Sequence, residues 1–156
     1  MPGHFHGHDV TIQDVFEGVG ACAAGKMSPE ELKYLEGKAC PGAGSCGGQF
    51  TANTMATALA FLGIASMDGT DLPALHPDKP AAAEAAGRAV MELVRKDLRP
   101  RQIMTRAAFE NAIAAVMVTG GSTNAVLHLL AIAREAGVPL DLADFDAISR
   151  TTPVLA

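Results

Sequence analysis

A chain of 156 residues that is 49% hydrophobic and 19% charged can bury one real core, and is neither a disordered tail nor a collagen-like repeat. Its net charge of −5, with no basic cluster, argues against nucleic acid as a partner, because phosphates require a positive face. No apolar run approaches the roughly 20 residues that span a bilayer, and Met1-Pro2-Gly3-His4-Phe5-His6 has neither the basic nor the apolar region of a secretory leader, so the expected location is the cytoplasm.

Aromatic residues make up 4% of the chain and Trp is absent, so the interior must be built from Ala, Leu, Val, Ile and Met, which suits closely packed helices. In a reducing compartment Cys22, Cys40 and Cys46 are buried apolar residues, metal or cluster ligands, or reactive thiols rather than a disulfide framework.

The first periodic segment is Asp9 to Ala24. There Ile12, Val15, Phe16, Val19 and Ala23 recur at helical spacing, and Gly25 is placed to stop the helix. Ser28-Pro29-Glu30-Glu31 then offers a cap, a proline suited to the first helical position and a capping-box glutamate, for a helix to about Lys38. Residues 40–48 hold four glycines and a proline in nine positions and form no regular element. A helix follows from Phe50 or Thr51 to Leu62, closed by Gly63, and 64–77 reads as a loop with Asp68-Gly69 and prolines at 73 and 77. Asp78 is the expected cap of an Ala-rich helix reaching about Asp97. Thr105 starts another through Val116, with Phe109, Ile113 and Val116 on one face. The turn Thr119-Gly120-Gly121-Ser122-Thr123-Asn124 leads into a helix from Ala125 to Ala136, ended by Gly137, and a last helix covers Leu142 to Ser149. No alternating strand is expected, since Val116-Met117-Val118 and Val138-Pro139-Leu140 are too short, and no repeat or linker is visible. The expected fold of these residues is mainly α.

Two turns carry the residues suited to chemistry. In Cys40-Pro41-Gly42-Ala43-Gly44-Ser45-Cys46-Gly47-Gly48-Gln49-Phe50-Thr51-Ala52-Asn53-Thr54, thiols sit in a glycine-rich loop just before a helix. A helix N-terminus favours thiolate over thiol, and small neighbours let a bulky cofactor approach the backbone N–H groups. A tight turn with two ordinary cysteines fits the same residues. Two cysteines six apart match neither zinc-finger nor ferredoxin spacing, so a cluster here would need ligands from outside this chain. Cys22, mid-helix among alanines, reads as core.

At the second turn, the backbone amides of Gly120 to Asn124 and the hydroxyls of Ser122 and Thr123 suit an anion or a cluster sulfide, while an N-cap explains Ser, Thr and Asn equally well. His128, on a helix rich in Leu and Ala, reads as a satisfied core histidine. His4, His6 and His8 alternate at a spacing that binds metal weakly, and equally suit a plain loop. Glu30, Glu31, Glu36, Glu84 and Glu92 read as solvated helix surface.

The run from Cys40 to Met55 resembles the dihydroxy-acid dehydratase family, in the superfamily shared with sugar-acid dehydratases. Asp9-Val10-Thr11-Ile12-Gln13-Asp14-Val15-Phe16-Glu17 and Gly120-Gly121-Ser122-Thr123-Asn124-Ala125-Val126-Leu127-His128-Leu129-Leu130 fit the same family, and the resemblance covers essentially the whole chain. It implies dehydration of 2,3-dihydroxy carboxylates to 2-keto acids in valine, isoleucine and pantothenate synthesis. The implied cofactor is an iron–sulfur cluster, 2Fe-2S or 4Fe-4S, with one open iron as Lewis acid for the leaving hydroxyl. A nearby Mg²⁺ is implied for the full-length protein.

By resemblance Cys46 is the cluster ligand, Cys40 is structural or stands behind the ligands, and Cys22 occupies a position where relatives often carry His. Gly47, Ser122 and Thr123 complete the expected cofactor-binding set. The family's Cys-Asp-Lys motif, a further cluster cysteine, the serine base and a second acidic Mg²⁺ ligand have no counterpart here. The chain is therefore expected to be a partial N-terminal, cluster-binding domain (1–156) of a longer, homodimeric protein whose N-terminal domain is α/β, with the C-terminal domain absent and the isolated segment inactive. Two alternatives remain: a fragment of a sugar-acid (aldonate or phosphogluconate) dehydratase, and a non-catalytic helical interaction module.

Overall fold

A computed structural model describes residues 2–42, 48–70 and 72–155. The chain packs as two compact units, one of residues 1–48 with 73–75 and one of residues 49–72 with 76–156. The described elements are overwhelmingly helical, as composition and periodicity predict.

The first unit opens with a hairpin that sequence reading did not anticipate. Strands β1 (Gly3–Phe5) and β2 (His8–Val10) pair antiparallel, with Gly3 opposite Val10, His4 opposite Asp9 and Phe5 opposite His8. The intervening His6 and Gly7 have φ of +49° and +84°, the pair of left-handed residues a two-residue type I′ turn needs. Strands of three residues are too short for alternation to register. Gly3 is required by close approach, since a Cβ there would lie 1.6 Å from the Lys38 carbonyl oxygen.

Helix α1 (Ile12–Ala23) begins at a capping box. Thr11 Oγ1 accepts from the Gln13 amide at 3.2 Å, and the Asp14 carboxylate accepts from the Thr11 amide at 2.6 Å. In α2 (Pro29–Ala39) Ser28 Oγ accepts from the Glu31 amide at 3.1 Å, as expected, while the Glu31 carboxylate lies 3.9 Å from His6 Nε2. Val10, Val15, Leu35 and Ala39 form this unit's core, and Gly18 lets Leu32 and Leu35 of α2 approach α1. The apolar face expected on α1 is only partly used: Phe16 and Val19 are 63% and 50% exposed, because the stripe through Val15 and Gly18 meets α2.

The second unit holds α3 (Thr51–Phe61), α4 (Met67–Thr70), α5 (Lys79–Arg95), α6 (Pro100–Ile103), α7 (Arg106–Val118), α8 (Asn124–Ala136) and α9 (Leu142–Thr151). Helix α7 is its centre and packs against α3, α8 and α9. Its expected face is buried as predicted, Phe109, Ile113 and Val116 joining Ala112, Ala58 and Leu62 of the α3 region, Ala125, Leu129 and Ala133 of α8, and Phe145 of α9. Burying a side chain the size of Phe109 or Leu129 contributes about 1.5–3 kcal/mol, and the four alanines let helix backbones approach closely.

Thr105 Oγ1 caps α7 through the Ala108 amide at 3.3 Å, and Gly137 ends α8 in the left-handed region at φ +76°. Arg106 of α7 forks onto Asp144 of α9, at 3.0 and 2.5 Å, and also reaches the Glu110 carboxylate and the Pro139 carbonyl. These bonds hold the guanidinium proton more tightly than usual, and the Asp144 carboxyl is held below the usual range by Arg106 first and by the Asp141 amide second.

Two expectations for this unit are corrected. Part of the loop read at 64–77 forms the single helical turn α4, tied down by Lys79 Nζ, which donates to the Gly69 and Leu72 carbonyls at 3.0 Å each. Asp78 does not cap α5 with its side chain. Its own φ and ψ of −83° and −4° are already helical, and His76 supplies the acceptors, Nδ1 for the Asp78 amide at 3.2 Å and the carbonyl for the Lys79 amide at 3.0 Å. None of α5's residues is buried.

Candidate functional site

The segment that follows the first glycine turn and the whole of the second meet in the second unit. Each turn leads into a helix, α3 at Thr51 and α8 at Asn124, and polar side chains join the two helix starts. Thr51 Oγ1 shares a hydrogen bond with Ser122 Oγ at 3.3 Å and accepts from Asn124 Nδ2 at 2.8 Å. Gln49 Nε2 donates to Thr119 Oγ1 at 3.3 Å, and Thr119 Oγ1 donates back along α7 to the Ala115 carbonyl at 2.9 Å. Beneath them Thr54 is fully buried. Its Oγ1 donates to the Gln49 carbonyl at 3.2 Å and accepts from the Ser122 amide at 2.9 Å.

The second turn has this shape because of its two glycines. Gly120 has a φ of +57°, which L side chains rarely adopt. Gly121 is fixed by space instead: a Cβ there would lie 2.8 Å from Thr54 Cγ2 and 3.1 Å from Val116 Cγ1. Ser122 Oγ accepts from the Asn124 amide at 3.3 Å, so Ser122 supplies the side-chain cap at the start of α8. The N-cap position itself is occupied by Thr123, whose side chain makes no capping bond and is exposed.

The expected site residues are thus placed unevenly. Ser122 is half-buried against α3 and Thr123 is exposed on the same turn. Cys46 and Gly47 lie outside the described residues. Cys40 is exposed at the C-terminal end of α2, and Cys22 is half-buried in α1 rather than core. His128 is a plain correction, being exposed. Helix α8 buries Ala125, Leu129 and Ala133, four apart, and a residue one position off that row points about 100° away.

His4 Nδ1 pairs with Asp9 at 2.7 Å and His6 lies near Glu31, both on the surface of the first unit. Glu30, Glu31, Glu36, Glu84 and Glu92 are exposed as expected, Glu84 and Glu92 pairing with Arg88 and Arg95. Among the described residues no three His, Cys, Asp or Glu side chains stand close enough to hold a metal ion, so these residues alone do not make a metal centre.

Gln49, Thr51, Thr54, Thr119 and Asn124 enter the site from the structure. They lie some 68–73 residues from their partners, a separation that leaves no periodic trace in a sequence. The one available hint is a run of hydroxyl and amide side chains after each glycine turn. None of the joined side chains titrates near neutrality, so the arrangement can hold and orient a ligand but does not itself exchange protons.

The family described as dihydroxy-acid/6-phosphogluconate dehydratase, N-terminal, matches residues 1–156. This chain belongs to that family. It is 61% identical over 153 residues to a dihydroxy-acid dehydratase of Roseiflexus sp. (strain RS-1), covering 98% of this chain and 27% of that protein. A dihydroxy-acid dehydratase of Koribacter versatilis (strain Ellin345) is 60% identical over 154 residues, 99% of this chain and 27% of the relative. One from Thermus thermophilus is 56% identical over 155 residues, 99% of this chain and 28% of the relative. The chain therefore spans about a quarter of the length of the curated relatives it matches. Within this dehydratase N-terminal segment, both glycine turns singled out by sequence lead into helices, and no described helix is long and apolar enough to cross a membrane.

Proposed function

We propose that this chain is the cluster-binding part of a hydro-lyase that dehydrates 2,3-dihydroxy carboxylates, such as 2,3-dihydroxyisovalerate, to 2-keto acids in valine and isoleucine synthesis. The reaction removes the C2 proton and the C3 hydroxyl as water, and the resulting enol tautomerises to the ketone. The observation that carries the reading is the joining of the two helix starts through Thr51, Thr54, Ser122 and Asn124, in a chain 61% identical to a dihydroxy-acid dehydratase.

In this reading Cys46 gives one thiolate to an iron–sulfur cluster, 2Fe-2S or 4Fe-4S, whose remaining ligands, together with the Mg²⁺ ligands, come from other parts of a full-length homodimeric protein. Bound there, the cluster would supply Lewis acidity toward the leaving hydroxyl. The described residues of this chain hold and orient: the Ser122 and Thr123 hydroxyls present donors and acceptors at the start of α8. One thiolate cannot hold a cluster, so the 156-residue chain alone is expected to be inactive.

The test is 2-keto acid formation from 2,3-dihydroxyisovalerate after anaerobic reconstitution, by a full-length protein carrying this segment and by the segment alone. Turnover by the former and none by the latter is expected. Substantial activity from the segment would overturn the reading.

The family description, which also names 6-phosphogluconate dehydratase, supports a second reading as part of a sugar-acid dehydratase. Rates of the full-length protein on 2,3-dihydroxyisovalerate and on 6-phosphogluconate separate the two. The branched-chain substrate is expected to be faster, and a preference for the sugar acid would reverse the assignment.

A further inference from the structure

Thr54 is the one buried polar side chain among the described residues, with none of its surface exposed. A hydroxyl in an apolar core costs free energy unless its donor and acceptor are used. Here both are used, and both lead to glycine turns. Oγ1 donates to the carbonyl of Gln49, just after the first, and accepts from the amide of Ser122 in the second. The methyl group of the same side chain fills the space above Gly121, where a Cβ would stand 2.8 Å from it. Thr54 thus ties the segment before α3 to the second turn through Oγ1 and packs on that turn through Cγ2, and a valine would keep the packing while losing both bonds.

We infer that Thr54 is a positioning residue for the dehydratase site, fixing the second glycine turn against the start of α3. The inference rests on the reading above, in which the start of α3 and the second turn belong to the site. Substrate need not touch Thr54. The side chain acts through the Ser122 amide and the Gln49 carbonyl, and the hydrogen bonds between Thr51, Ser122 and Asn124 follow the geometry it sets. The Thr51–Ser122 bond is part-buried and the Asn124–Thr51 bond exposed, whereas the Thr54 side chain has none of its surface exposed, so the bond to Thr54 decides the placement.

The experiment compares Thr54→Val and Thr54→Ser with wild type in a full-length protein carrying this segment, at temperatures where all are folded. Amide hydrogen exchange over 119–124 reports the turn, and kcat and KM for 2,3-dihydroxyisovalerate report the site. For Thr54→Val, exchange of the Ser122 amide is expected to quicken roughly five- to tenfold, as for one lost hydrogen bond. Its kcat/KM is expected to fall roughly 10- to 100-fold, as for a misplaced binding group. Thr54→Ser keeps the hydroxyl and is expected to restore both.

Unchanged exchange in Thr54→Val overturns the positioning role, as does faster exchange with wild-type kcat/KM per folded molecule. Wild type that exchanges as expected but turns over no dihydroxy acid instead defeats the dehydratase reading on which the inference rests. Should Thr54→Val not accumulate, Thr54→Cys replaces the hydroxyl by a weak donor and acceptor and is judged by the same two readouts.

Discussion

Replacing Gly121 by Ala would set a methyl group 2.8 Å from Thr54 Cγ2 and 3.1 Å from Val116 Cγ1. Overpacking of this kind costs about 1–3 kcal/mol. Denaturant unfolding of Gly121→Ala is expected to show that loss, and Thr54→Ser in the same background, which removes the crowded methyl, is expected to recover part of it. Strict additivity of the two substitutions would contradict the contact.

A second residue-scale prediction concerns acid. The Asp144 carboxyl is held below its usual range chiefly by Arg106 and then by the Asp141 amide. A carboxyl whose native pKa is lowered stabilises the fold fully above its unfolded value, about pH 3.9, and that contribution is lost as pH falls through the lower native value. Asp14, lowered by the Thr11 amide, acts in the same direction. Stability of Asp144→Asn is therefore expected to fall below wild type at neutral pH and to converge with it in acid. Parallel curves across pH 2–7 would remove Asp144 from the explanation. Residue type alone gave no access to the exposure of His128, because burial on α8 depends on which row of residues faces α3 and α7, a fact of packing rather than of composition.

At the scale of elements, helix ends separate what was legible from what was not. Ser28-Pro29-Glu30-Glu31 reads as a helix start because cap, proline and acidic residues act within one turn of one another, and the Ser28 bond to the Glu31 amide is present. Asp78 has the same local appearance, yet its backbone is already helical, Pro80 has no amide to offer it, and its side chain makes no capping bond, while His76 accepts from the Asp78 and Lys79 amides. Ser28→Ala is accordingly expected to cost about 1 kcal/mol, whereas Asp78→Ala should stay within about 0.5 kcal/mol, as for an ordinary surface change. Equal losses in thermal or chemical unfolding would contradict this assignment of caps. The face of α7 was legible for a related reason, since Phe109, Ile113 and Val116 repeat at helical spacing. The hairpin at Gly3–Val10 was not, because three-residue strands carry no measurable period and their signal is the positive φ of His6 and Gly7. The joining of the two helix starts was hidden too, as it depends on pairs about 70 residues apart.

For the molecule as a whole, surface and site point the same way. Helix α5 leaves Val90, Met91 and Val94 at 56%, 50% and 67% exposure and has no fully buried residue. Neighbouring exposed apolar side chains favour association in water. The isolated 156-residue chain is expected to bind a hydrophobic dye and to sediment as a concentration-dependent mixture, and Val90→Lys with Val94→Lys is expected to reduce both. A wild-type chain that stays monomeric without dye binding would favour a self-sufficient module instead.

The site itself supplies hydroxyls, amides and, by resemblance, a single cysteine, which is why catalysis is assigned to a longer polypeptide. The most direct test is 2-keto acid formation from 2,3-dihydroxyisovalerate by such a full-length protein, wild type and Cys46→Ser, reconstituted without oxygen. Turnover by wild type and none above background in Cys46→Ser is the expected result. Full activity in Cys46→Ser, or a wild type that leaves the dihydroxy acid untouched, would contradict it.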